Sequence, residues 1–269
     1  MPNDNNTHPA SVCDECSAHH QGICGALDAT QLEQLKKQAR RHVVEPGATL
    51  IDPTIPADQF SVIVSGAVKL MKMLPDGRQQ IVGIQYAPDF LGRPYLGDSD
   101  VTAEPVTDAK LCIFSRSTVE RMIKSSPSLE HRLYLQALGE LEDARELLLT
   151  LGRRTARERV ASFLLFVTRH TAPTEPDNRE PQTINLLLTR VEIADFLGLT
   201  IETVSRQLHQ LATAGLVKLE HNRSITILEI GQLHAETGER EDQTARSSSP
   251  KSAETTNNDR LRKLGRTGS

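Results

Sequence analysis

Four cysteines stand in the 269-residue sequence, and three of them, Cys13, Cys16 and Cys24, fall within twelve residues. The fourth, Cys112, lies far downstream between Leu111 and Ile113. A Cys-x2-Cys-x7-Cys run plus one remote thiol supplies four thiolates, a donor set that suits tetrahedral zinc or an iron-sulfur cluster. Spacing alone does not choose between them, and Cys-x2-Cys is a common zinc-ligand spacing. Structural disulfides are poor candidates in a cytosolic chain, where thiols are kept reduced. Taken singly, Cys112 in its apolar context would be a small buried hydrophobe. His8, His19 and His20 lie near the run and read as solvated.

A second constellation could read DNA. Thr189 followed three residues later by Glu192 is a capping box, so a helix should begin there and run through Ile193, Ala194 and Leu197 to a stop at Gly198. Thr200 then caps a second helix, Ile201 to about Ala212. Its Val204, Leu208 and Leu211 share one apolar face, which leaves Glu202, Ser205, Arg206 and His209 outward, next to Thr203. Two short helices about a glycine turn predict a helix-turn-helix whose second helix enters the major groove. Gly215–Leu219 and Ser224–Leu228 flank His221-Asn222-Arg223 as a small hairpin, the wing. An arginine fork can donate to both acceptors of guanine, a carboxylate can accept from cytosine, and Arg223 is placed to meet phosphate. The plainer reading is that Glu202 and Arg206, four apart, form a solvated pair.

The elements that must carry these groups follow from pattern. From about His42 to Phe114 short apolar runs are cut by turn residues such as Pro46-Gly47, Ser65-Gly66 and Pro75-Asp76-Gly77, which predicts an antiparallel β-barrel or jelly roll. Leu129 to Leu151 contains a single glycine and no proline, and predicts a long helix. Along it Tyr134, Ala137, Leu141, Ala144, Leu148 and Leu151 recur at alternating steps of 3 and 4, the seam of a two-stranded coiled coil, although packing on the chain's own barrel would give the same pattern. The carboxylates Glu140, Glu142, Asp143 and Glu146 crowd this seam, which predicts a weak dimer that strengthens with salt. The chain therefore divides into a cysteine-bearing segment (1–28), a sensor barrel (29–127), a dimerisation helix (128–152), a winged helix-turn-helix (153–230) and a polar tail (231–269) to which no structure is assigned. The fold class is α+β.

Composition narrows the function. A net charge of −4 excludes a polybasic coat, so DNA binding must come from a local surface. No apolar run is long enough to span a bilayer and the N-terminus lacks a signal-peptide core, so a cytoplasmic protein with no membrane partner is expected. There is no Gly-rich dinucleotide loop or nucleophile–base pair, so an enzyme or an iron-sulfur redox carrier is disfavoured. A cyclic-nucleotide receptor would need a Gly-Glu pair and a following Arg to meet the phosphate. The sequence has Gly92-Arg93-Pro94 and no Arg from Pro94 to Ser115, so no cyclic nucleotide is expected.

The run Glu202-Thr203-Val204-Ser205-Arg206-Gln207-Leu208, after a barrel and a long helix, resembles the CRP/FNR superfamily of transcription regulators over about residues 13 to 230. Its Glu-x-x-Ser-Arg set and the cysteine spacing are similar to the FNR branch, and to FnrL-like members in particular. That resemblance implies an oxygen-labile [4Fe-4S] cluster on Cys13, Cys16, Cys24 and Cys112, with the seven-residue gap before Cys24 longer than in some relatives. It also implies a cluster-dependent homodimer on TTGAT-type two-fold DNA sites, and contact with RNA polymerase. The hairpin tip Pro75 to Gln80 is assigned to that last contact. A constitutive or zinc-containing regulator on the same scaffold is the alternative.

Overall fold

The computed structural model describes residue 16 and residues 22–96, 99–171, 181–220 and 223–238. A short 3-10 helix at Ile23–Ala26 leads into α1 (Ala29–Gln38), which opens on a capping box between Asp28 and Gln31. The strands β1 (Arg40–Val44), β2 (Gln59–Ser65), β3 (Ala67–Met73), β4 (Gln79–Tyr86), β5 (Phe90–Leu91), β6 (Thr102–Pro105) and β7 (Ala109–Ser115) follow. They form two antiparallel sheets, ordered β1-β7-β2-β5 and β4-β3-β6. This is the antiparallel β domain expected as a barrel or jelly roll. The β3–β4 turn is the one the sequence predicted at Pro75-Asp76-Gly77, with Gly77 at a φ of 87°.

Helices α2 (Arg116–Ser125) and α3 (Pro127–Arg153) come next, with Pro127 in the first turn of α3, where its missing N–H costs nothing. The predicted long helix, 128–152, is thus within one residue of the observed one. Beyond it lie α4 (Ala156–Thr171), β8 (Gln182–Asn185), α5 (Arg190–Leu197), α6 (Ile201–Thr213), β9 (Val217–Leu219), β10 (Ser224–Ile227) and α7 (Ile230–Ala235). The wing is a three-stranded sheet, β8-β10-β9, rather than the two-stranded hairpin read from sequence. The boundary at 230 also needs correction. Helix α7 buries Ile230 and Leu233, and an Arg157–Glu236 ion pair (2.6 Å) ties it to α4, so the folded unit runs to Gly238. The rest of the tail, 239–269, lies outside the described residues.

Strand alternation decides what each sheet face touches. On β7, Leu111 packs inside the sandwich with Ile63, Val68 and Leu91. Cys112 and Phe114 point the other way and join Phe60, Val62, Val119, Ile123 and Leu129 in a second core under the helices. A third core is continuous between barrel and DNA-binding unit, with Ile81, Ile84 and Tyr86 of β4 buried together with Phe163, Phe196 and Leu197. Among the described residues no helix is long and apolar enough to cross a membrane.

Candidate cluster site and nucleic-acid interface

The structure brings three of the four cysteines to one recess. Cys112 reaches it from β7, where Arg41 of β1 and Val62 of β2 are its cross-strand neighbours. Cys24 reaches it from the 3-10 helix, anchored by Ile23 at 2% exposure, and Cys16 lines the same recess with Leu32, Leu35, Ala39, Val64 and Phe114. Lys36 and Arg41 are its two cationic residues, and sequence reasoning did not single out either. Cys13 and the three nearby histidines lie outside the described residues. Among the described residues no three His, Cys, Asp or Glu side chains gather around a point fit for one metal ion. The donor chemistry does suit a larger thiolate-bound group: soft sulfur donors, an apolar wall, and two cationic residues at its rim.

The recess abuts the root of the long helix. Cys16, Cys24 and Leu27 pack on the core that contains Leu129 and, at its edge, Leu133 of α3. Gln31, the capping partner of Asp28, accepts a hydrogen bond from Ser126 Oγ (3.3 Å), and Ser126 is the residue that precedes α3. Further along, the Gln136 side-chain amide bonds both ways with the Phe90 backbone, accepting from its N–H (2.9 Å) and donating to its carbonyl (2.8 Å). The long helix is therefore clamped to the barrel at two levels.

Its opposite face is uncovered among the described residues. Tyr134, Leu141 and Leu148 of the predicted seam are exposed, Leu148 to 70%, as are Ala137 and Ala144, while Leu151 is half-buried. Leu138, which the seam omitted, is exposed beside them. Packing on the chain's own barrel thus fails as the explanation for this stripe. Of the nearby carboxylates, Glu142 and Glu146 pair with arginines within the chain, while Glu140 is met by neutral amides that do not offset its charge. Glu140 accepts from Gln85 and Gln136, Glu142 pairs with Arg145 (2.6 Å), Glu146 with the buried Arg154 (2.7 Å), and Asp143 lies 3.7 Å from His170.

The reading head is built as its sequence dictates. Thr189 and Glu192 close the predicted capping box, Gly198 ends α5 in the left-handed region (φ 60°), and Thr200 accepts from the Thr203 N–H to start α6. On α6, Val204, Leu208 and Leu211 are buried, Glu202, Arg206 and His209 are exposed, and Thr203 and Ser205 are half-exposed on the same outer side. Arg206 lies 3.4 Å from Thr203 Oγ1. The Glu202 carboxyl is held below the ordinary carboxylate range by hydrogen bonds from its own backbone N–H and from the Thr200 hydroxyl. Arg223 sits beside the wing turn at a φ of 66°, its guanidinium exposed. Glu202, Thr203, Ser205 and Arg206 thus share the outward side of α6, and Arg223 is exposed at the wing, 3.4 Å from the Leu187 carbonyl.

The first helix of this motif docks on the barrel, a contact no sequence signal announced. Lys69 of β3 bonds Glu192 (2.8 Å), Gln79 donates to Asp195 (2.7 Å) and Gln80 to the Phe196 carbonyl (3.0 Å). Two residues assigned to a polymerase contact, Gln79 and Gln80, are therefore engaged within the chain, and the exposed tip is Leu74 to Arg78.

A sensor-type β-sandwich, a long helix with one bare apolar face, and a winged helix with exposed reading groups define a DNA-binding transcription regulator. Residues 158–236 match the Crp-like helix-turn-helix domain and residues 41–126 the cyclic nucleotide-binding domain. A probable transcriptional activator of Rhizobium leguminosarum bv. viciae is 46% identical over 222 residues, 82% of this chain and 91% of that protein. The transcriptional activator protein FnrL of Cereibacter sphaeroides is 37% identical over 233 residues, 86% of this chain and 93% of that protein. The solved structure of FixK2 from Bradyrhizobium japonicum superposes with a TM-score of 0.66 at 32% identity, covering 73% of this chain and 96% of that one. The chain belongs to the CRP/FNR family of transcription regulators. Fold and relatives are those of regulators and not of enzymes.

Proposed function

We propose that this chain is an oxygen- or redox-responsive transcription activator that binds TTGAT-type palindromes as a homodimer, with Cys13, Cys16, Cys24 and Cys112 as ligands of a [4Fe-4S] cluster. The observation that carries this reading is the recess itself. Thiols from Cys16, Cys24 and Cys112 come from separate stretches of chain, share one apolar wall, and rest on the root of the helix whose far face is bare. A bound cluster supplies an oxygen-labile iron-sulfur core. The chain supplies the rest. Lys36 and Arg41 offset thiolate charge, the 3-10 helix holds Cys24 against α3, and Gln136 fixes that helix to Phe90. A dimer places two α6 helices about one DNA turn apart, which a palindrome requires. Glu202, Ser205 and Arg206 read bases with Thr203 beside them, Arg223 meets phosphate, and the exposed β3–β4 tip is the surface for RNA polymerase.

The sensor domain is of the cyclic nucleotide-binding type, but the groups that would be expected to meet a nucleotide phosphate are otherwise engaged among the described residues. Arg93 lies at the surface 3.6 Å from Asp100, and Gln136 takes up both backbone groups of Phe90. The test is iron, acid-labile sulfide and zinc analysis of protein purified without air. Iron and sulfide that are lost on exposure to air, and lost in each of the four Cys→Ser variants, are expected. Stoichiometric zinc without sulfide would overturn the cluster in favour of a zinc-containing regulator.

A further inference from the structure

Two guanidiniums lie where the end of the long helix meets the start of the DNA-binding unit, and one of them, Arg159, spans three elements. Arg159, on α4, donates through Nη2 to the Leu151 carbonyl (2.8 Å), through Nε to the Arg154 carbonyl (3.0 Å) and through Nη1 to the Leu197 carbonyl (3.0 Å). Leu151 lies in the last turn of α3, Arg154 just past its end, and Leu197 is the last residue of α5. The last carbonyls of a helix have no partner within it and carry the negative end of its dipole, so a cation that serves two such ends at once is bound by charge as well as by geometry. Three of the five N–H donors are used, in the fixed planar fork that only arginine has.

Gly198 shows how closely the three elements meet. A Cβ there would lie 3.5 Å from Leu151 Cδ2 and 3.7 Å from Arg159 Nη1. The neighbouring Arg154 has a separate task. It is buried and bonds Glu146, Thr150 and Ser162, which locks α3 to α4. We infer that Arg159, together with the barrel contacts of α5, holds the angle between the dimerisation helix and the helix-turn-helix, and so tunes the separation at which two half-sites are read. This rests on the dimeric reading proposed above.

One added base pair turns the second half-site by about 35° and moves it about 3.4 Å, so a rigid joint discriminates between spacers and a loose one does not. The experiment uses the full-length chain and duplexes that carry two inverted TTGAT half-sites, with the separation varied one base pair at a time. The native protein should prefer one separation by about tenfold or more over its neighbours, the size of effect that one charge-assisted hydrogen bond can hold. Arg159→Ala should flatten that preference to about threefold or less while binding to a single half-site is unchanged, because one reading head needs no fixed joint. Arg159→Lys, a point charge without the fork, should fall between, and decides the matter if the alanine variant does not fold. Arg157→Ala is the control: it breaks the pair with Glu236 on the same helix and should leave spacer discrimination intact.

An unchanged spacer preference in folded Arg159→Ala, or in Arg159→Lys where alanine fails, would overturn the inference. So would an equal loss in Arg157→Ala, which would mark a general loosening. A native protein with no spacer preference would instead sink the two-fold reading, and this inference with it.

Discussion

Replacing Glu192 tests whether the barrel holds the reading head through one ion pair. One carboxylate oxygen of Glu192 closes the capping box on the Thr189 N–H and hydroxyl (both 2.8 Å), and the other meets Lys69 Nζ at 2.8 Å. Glu192→Gln keeps the reach back to Thr189, since Gln also serves in a capping box, and removes both the charge and the acceptor that meets Lys69. A charge-assisted hydrogen bond contributes about 1.5–3 kcal/mol, and Lys69 keeps Glu104 at 3.4 Å as a second partner, so the coupling between Glu192→Gln and Lys69→Met should be about 1–2 kcal/mol. Urea unfolding of the native chain, both single variants and the double variant at neutral pH measures it. A coupling below about 0.3 kcal/mol, inside the scatter of independent sites, would refute the reasoning.

The pH dependence has a definite sign. Burial pushes the Glu192 carboxyl up, but hydrogen bonds from Lys69 and Thr189 outweigh it and hold the group below its ordinary 4.5. Burial pulls the Lys69 ammonium down, but Glu192 and Glu104 hold it above its ordinary 10.5. A carboxyl lowered by folding stabilises above its ordinary value and loses this as pH falls through the lowered one. An ammonium raised by folding stabilises below its ordinary value and loses this as pH rises through the raised one. The coupling should therefore be level from about pH 4.5 to 10.5 and fade on either side.

Arg206→Ala should lower affinity for the cognate palindrome by about 1–3 kcal/mol with little effect on scrambled duplex, whereas Arg223→Ala should weaken both alike. Equal losses for Arg206→Ala on the two duplexes, in a fluorescence titration, would remove it from base reading. Ala144→Asp places a charge on the bare face of α3 and should give a monomer that no longer retains palindromic DNA. Ultracentrifugation showing a normal dimer would displace the seam. Gly198→Ala should destabilise the DNA-binding unit by about 1–2 kcal/mol through its left-handed backbone, read by thermal melting, and an unchanged melt would show that the turn relaxes without cost.

What the sequence disclosed was local, and what it hid was tertiary. The Thr189 and Thr200 caps, the Gly198 stop and the Pro75-Asp76-Gly77 turn each depend on residues a few positions apart, so their chemistry is written in the order of the chain. Helix α3 was legible to a residue because nothing along it competes with helix. Strand β8 was not, because four residues with Pro181 before them carry too little pattern, and only pairing with β10 makes Gln182–Asn185 a strand. Helix α7 was missed for the same reason: buried Leu233 stands alone between polar residues. The cysteines were legible as a set. That Cys112 faces the helical layer rather than the sandwich interior depends on the pairing of β7 with β2, which no spacing reveals. Glu192 is the clearest case of a residue half read, since its cap is local and its bond to Lys69 spans 123 positions.

The core shared by β4 and the DNA-binding unit bears on how such regulators can be recombined. Transplanting residues 153–238 onto another sensor would carry Phe163, Phe196 and Leu197 to a surface shaped for different neighbours, and would leave Ile81, Ile84 and Tyr86 of the donor barrel facing water. A chimera that respects the linear boundary at the end of α3 therefore cuts through packed interior. The reading head is exchanged intact only together with its whole barrel, because the β3–β4 ribbon on which it rests is itself paired to β6 and packed inside the sandwich.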